Sequence, residues 1–124
     1  MKVLLFVIFL LTFFYKFAFS DEHSDEQQII AIGDIEFGEY LGAECAACHH
    51  QAGVSKGIPA INGMDAEVFV ALMLAYRSKE MENPVMQMIA GRLDDEQIGS
   101  LALYFNKLEP PKWSYFHLLK VKIW

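Results

Sequence analysis

Apolar residues recur at helical spacing in three stretches of this chain, separated by irregular segments rich in glycine and proline. From about Asp34 to Glu44, Phe37, Tyr40 and Leu41 mark a first amphipathic helix. Asp34 stands where an N-cap carboxylate can accept from the open N–H groups of the first turn. "QAGVSKGIPAING" follows, and its three glycines and one proline in thirteen residues break any period. Asp65 then caps a second helix, "AEVFVALMLAYRSKE", with Val68, Leu72, Ala75 and Tyr76 along one face. "MENPVMQMIAGR" reads as a loop with a short helical turn after Pro84. Asp94 and Gln97 have capping-box spacing at the head of a third helix, "DEQIGSLALYFNKL". Its apolar stripe is Ile98, Leu101, Ala102 and Phe105, and Pro110 and Pro111 stop it. No stretch reads as a strand. The expected class is all-α: three main helices and long loops.

The first twenty residues follow another rule. Lys2 precedes an apolar run from Val3 to Tyr15, and small residues stand at Ala18 and Ser20. This is the layout of a secretory signal peptide cleaved after Ser20, and it predicts export to the periplasm. Lys16 interrupts the apolar run before the roughly 20 residues a bilayer crossing needs. The acidic stretch Asp21–Gln28 offers nothing apolar to bury and reads as a flexible lead. The expected organisation is therefore a signal peptide at 1–20, a flexible acidic lead at 21–32, a domain at 33–109 and a tail at 110–124.

Cleavage changes the charge. The whole chain carries 10 Lys+Arg and 16 Asp+Glu, net −6. Losing Lys2 and Lys16 leaves 8 against 16, net −8. A nucleic-acid binder is ordinarily basic, so that class is disfavoured. The positive mean hydropathy owes much to the leader. A domain this small with two long irregular segments makes a poor core unaided. Its loops need something to pack against, and a large rigid cofactor would supply it.

The chain's two cysteines stand in "ECAACHH". A disulfide between Cys45 and Cys48 would close a very small loop, where cross-linking constrains the unfolded chain least. Zinc wants four ligands in a tetrahedron, and no second Cys pair or spaced His pair completes the site. A thioredoxin-like motif would need a βαβ setting. A covalent haem uses the spacing directly: two thiols add to two vinyl groups, and the following imidazole falls beneath the iron. "CAACH" thus reads as c-type haem attachment at Cys45 and Cys48, with His49 as proximal ligand. His50 is expected at the surface, and His23 and His117 solvated. A sixth ligand would come from Met64, Met73, Met81, Met86 or Met88; Met73, inside a helix, is most simply core.

"GEYLGAECAACHH", "GIPAINGM", "VFVALMLAYR" and "NPVMQMIAGRLDDEQIGSLALYF" together resemble a class I cytochrome c. More narrowly, they are similar to a haem domain of the cytochrome subunit of flavocytochrome c sulfide dehydrogenase. The resemblance spans about residues 33–108. It implies a cytochrome c fold wrapped around one haem c and a redox role as an electron carrier rather than an enzyme. It assigns the sixth ligand to Met86, seven residues before Leu93, with Met88 as runner-up. It gives Pro59 the carbonyl that accepts from the proximal imidazole, and it places Gly38 and Tyr104 where the first and last helices cross. Tyr40, Ile61, Val70, Leu74 and Tyr76 read as generic core or pocket wall. The implied partner is an FAD-containing sulfide dehydrogenase subunit; a free shuttle to an oxidase or another dehydrogenase is the alternative, and a haem-based ligand sensor a third. Those subunits commonly carry two haem domains, whereas one CxxCH occurs here. In the tail, Lys112, Lys120 and Lys122 flank apolar residues from Trp113 to Trp124. The tail reads as folding back on the domain, as a frayed and idle terminus, or as a strip for a partner groove or an anionic membrane surface.

Overall fold

The structure, a computed structural model, describes residues 24–50 and 57–111. The expected signal peptide, His23, His117 and the tail's aromatics lie outside the described residues. Five helices follow one another: α1 (Ser24–Ala31), α2 (Ile35–Ala46), α3 (Ala66–Arg77), α4 (Pro84–Ala90) and α5 (Asp95–Lys107). Among the described residues there is no strand, and no helix is long and apolar enough to cross a membrane.

Short polar side chains start the helices. Asp34 accepts from the Phe37 N–H at 2.8 Å, and Asp65 accepts from Glu67 and Val68 at 3.0 and 3.2 Å. Asn83 accepts from Val85 and Met86, with Pro84 at the first helical position, where its missing N–H costs nothing. Asp94 and Gln97 complete a reciprocal capping box, each side chain bonding the other's backbone N–H at 2.8 and 3.0 Å. α3 ends three residues earlier than its apolar pattern suggests. Lys79 takes a left-handed φ of 66°. Glu80 then donates back to the Ala75 carbonyl and Lys79 to that of Tyr76, closing the helix in a Schellman turn.

The core gathers around α5. Ile98, Leu101, Ala102 and Phe105 are buried as their stripe predicts, against Phe69, Val70 and Met73 of α3, Ile61, Ala90 and Ile29. The Phe69 and Phe105 rings stack with centroids 5.7 Å apart. α2 lies most extensively on α5; α1 packs on α5 and α3, and α3 on α4.

Three expectations need correction. The flexible acidic lead is, over Ser24–Ala31, a helix. Asp25 and Glu26 suit the positive end of its dipole, and Ile29, buried on α5, supplies the anchor that Asp21–Gln28 lacks. The buried face of α3 is Phe69, Val70 and Met73, while Val68 is 50% exposed. "VFVALMLAY" is apolar nearly all round, so periodicity could not choose the face. On α2 the buried residues are glycines. Gly38 and Gly42 face α5, and Tyr40 stands in solvent at 77% exposure.

Glycines set how closely these helices approach. A Cβ on Gly38 would fall inside the Ser100 carbonyl, 2.9 Å from Tyr104 Cβ. One on Gly99 would strike the Ile29 carbonyl, and one on Gly33 would lie 2.6 Å from the Ser100 nitrogen. Ser100 is fully buried, and its Oγ accepts from the Asp34 N–H at 2.8 Å. The close approach implied for Gly38 and Tyr104 is therefore present, and it extends to Gly33, Gly42, Gly99 and Ser100.

Candidate functional site

The turn that ends α2 carries the chemistry. The His49 N–H donates to the Cys45 carbonyl at 2.8 Å, and the Cys48 N–H donates to the same carbonyl at 3.2 Å. The chain is thus still helically wound through His49. Residues three and four apart share a helix face, so both thiols and the imidazole project on one side. The cysteines are unpaired, Cys45 half-buried and Cys48 exposed. Burial, and then the Glu44 carboxylate, push the Cys45 thiol above its ordinary range. That is the wrong direction for a dithiol oxidoreductase, whose attacking cysteine needs a stabilised thiolate. Among the described residues no three His, Cys, Asp or Glu side chains converge on a metal-sized space.

Across from this turn, His49 Nδ1 lies 2.7 Å from the Pro59 carbonyl oxygen. A carbonyl only accepts, so the contact makes Nδ1 the protonated nitrogen and leaves the lone pair on Nε2. This is how a metal-binding imidazole is oriented before its metal arrives. Beside His49 opens a cleft of about 410 Å³, bounded by Gly42, Ala43 and Ala46 of α2, by Asn62, and by Tyr104, Phe105 and Leu108. The volume suits a ligand pocket, and small residues on the α2 side admit a flat group close to the backbone.

The methionines are distributed on other elements. Met73 is core, 5% exposed. Met86 sits on α4, half-buried and packed against the core, whereas Met88 on the same helix is 50% exposed. Met64 is half-buried in the loop before α3. Side-chain contacts tie the segments that flank α4. The Gln87 side chain donates to the Met81 carbonyl at 2.8 Å. Arg77 donates to the Leu93 carbonyl and pairs with Asp95 at 2.7 Å. His50 is exposed, as expected. Cys45, Cys48 and His49 thus stand on one turn, with the Pro59 carbonyl against His49, and Met86 lies on α4. Sequence reasoning passed over Asn106, whose side-chain amide donates to the Met64 carbonyl at 3.0 Å; a polar residue on an exposed helix end carries no signal of its own.

No protein-family model matches the chain. Over 92 residues, 65% of this chain, it is 32% identical to cytochrome c-553 of Helicobacter pylori strain J99, covering 96% of that protein. Over 73 residues, 56% of this chain, it is 30% identical to the thiosulfate dehydrogenase electron acceptor of Stutzerimonas stutzeri strain A1501, of which the match spans 34%.

Proposed function

We propose that this chain, which belongs to the c-type cytochromes, is an exported one-electron carrier in which Cys45 and Cys48 would hold one haem c and His49 and Met86 would supply the ligands to its iron. The observation that carries the reading is the His49 Nδ1–H···O=C bond to Pro59 at 2.7 Å, next to a turn that presents both thiols on the imidazole's side. A haem held there supplies a one-electron iron couple. The chain's own contribution is positional. Pro59 fixes the tautomer and plane of His49. The α2 turn spaces the thiols, and Tyr104, Phe105 and Leu108 line one side of the cleft.

Co-expressed with a c-haem maturation system, the wild-type chain is expected to keep its colour through denaturing electrophoresis and to gain the mass of one haem. A colourless chain with two titratable thiols would end the reading.

Met86 is favoured over Met88 because it is half-buried against the core, whereas Met88 on the same helix is 50% exposed. A thioether ligand raises the reduction potential. Oxidised wild type should therefore show the weak sulfur-to-iron absorption near the red end of the spectrum. Met86→Ala loses that band and falls to a much lower potential, while Met88→Ala keeps both. The reverse pattern moves the assignment to Met88, a band kept by both variants points to another methionine, and a wild type without the band leaves the open-iron sensor reading standing.

For the electron donor, two supports converge on oxidation of inorganic sulfur compounds. One is the name of the second relative; the other is the resemblance to the cytochrome subunit of a sulfide dehydrogenase. A dehydrogenase of that class, FAD-containing in the sulfide case, is the proposed partner. The match to nearly the full length of a cytochrome c-553 favours action as a free shuttle rather than as a fixed subunit.

A further inference from the structure

We propose that Asn106 is a positioning residue for the proximal imidazole: together with Gly63 it ties the loop bearing Pro59 to the end of α5 and so holds the carbonyl that His49 donates to. The proposal rests on the haem reading above and goes beyond it.

Between Gly57 and Met64 the backbone forms a single β-bridge, at Ile58, and Pro59 is exposed. A carbonyl in such a place would ordinarily wander and bond water. Here two bonds to α5 restrain it. The Gly63 N–H donates to the Phe105 carbonyl at 2.8 Å, and the Asn106 amide donates to the Met64 carbonyl at 3.0 Å. Phe105 O, in the last turn of α5, accepts from the Leu108 N–H at 3.3 Å and has a second lone pair for Gly63. Gly63 reaches it only in the left-handed region, at φ 72°, with Pro110 packed against its open side. A tight turn, Met64 N–H to Ile61 carbonyl at 3.2 Å, then carries the restraint back to Ile61, which is buried. Pro59 lies two residues further on, with its φ fixed by its ring. Asn106 is itself exposed, so core packing does not account for its orientation toward the loop; the bond does.

The consequence is electronic. A short, well-aligned bond from Nδ1–H to a carbonyl gives the imidazole more anionic character, which makes it a stronger donor to iron and favours the oxidised state. Loosening the loop weakens that bond and favours reduction.

The test uses the haem-loaded full chain with Asn106→Ala and Asn106→Asp, neither of which can donate to Met64. Proton NMR reads exchange of the His49 Nδ1–H, and redox titration reads the potential. Both variants are expected to keep haem and the sulfur-to-iron band, and to exchange Nδ1–H about tenfold faster than wild type. In Asn106→Ala the reduced-to-oxidised ratio at fixed poise rises about threefold, ~28 mV at 59 mV per decade for one electron. Asn106→Asp adds a charge that opposes this shift, so the exchange rate shared by both variants isolates the lost bond. Unchanged exchange and potential in Asn106→Ala, even with a lowered melting temperature, overturn the proposal and leave the haem reading intact. A wild-type chain that never binds haem overturns both.

Discussion

With Cys45 and Cys48 both changed to serine, the exported chain is expected to emerge colourless and without a cooperative melting transition. Hydroxyls do not add to vinyl groups as thiols do, so covalent attachment is lost outright. The effect on folding follows from the size of the core. The buried apolar residues of the described chain are ten, and they cluster around α5 and α3. Residues 57–64 form no helix, and they are tied to α5 by the Gly63 N–H and the Met64 carbonyl and to His49 by the Pro59 carbonyl. A domain of this size buries only ~60% of its unfolded surface and is marginal without added support. A haem held by Cys45, Cys48 and His49 would supply that support. Removing a tightly held group costs the folded state whatever its binding contributed, which for a covalent one is the whole of it. Circular dichroism against temperature on wild type and double variant checks this. A double-serine chain melting as wild type does would mean that haem plays no part in the fold. It would then favour a dithiol role, which the elevated Cys45 thiol already disfavours.

What the sequence discloses, and what it hides, divides by the range of the interaction. Caps are local, so Asp34, Asp65 and Asp94 announce three helix starts correctly. The α5 stripe is strongly periodic against polar neighbours, and all four of its expected residues are buried. The CxxCH turn is local as well. The contact between His49 and Pro59 crosses ten residues, and only resemblance to a family anticipates it. α4 has seven residues, too few to show a period, so Asn83-Pro84 signals a turn and not its extent. α1 is hidden because its stability is tertiary. "SDEQQ" looks like solvent-borne chain until Ile29 meets the backbone of Gly99. The glycines of α2 hide differently. Gly38 and Gly42 are four apart and therefore on one face, a pattern readable as close packing, but hydrophobic periodicity looks past residues with no side chain and points to Tyr40 instead.

Those two glycines yield the sharpest structural prediction. Gly38→Ala should lower the melting temperature by about 10–20 °C. This corresponds to ~3 kcal/mol of overpacking in a domain of this size. The net loss is telling because alanine in a helix interior ordinarily gains up to ~1 kcal/mol over glycine. At Gly38 the new methyl meets the Ser100 carbonyl, which is backbone inside α5 and cannot turn aside, so α2 and α5 must part. Gly42 differs in kind. Its nearest neighbours are Cε1 and Cδ1 of Tyr104, at 2.6 and 2.8 Å, side-chain atoms that can be removed. A double-mutant cycle separates the two cases. Tyr104→Ala should rescue Gly42→Ala, bringing the pair to the stability of Tyr104→Ala alone or above it. The same change should leave Gly38→Ala unrescued. Gly57→Ala serves as the control, since nothing lies within 4 Å of its added methyl and only its φ of 85° is strained, a cost of about 1–2 kcal/mol. Should Gly38→Ala melt at or above wild type, or should Tyr104→Ala rescue it fully, the two helices do not cross at backbone distance at Gly38 and Ser100.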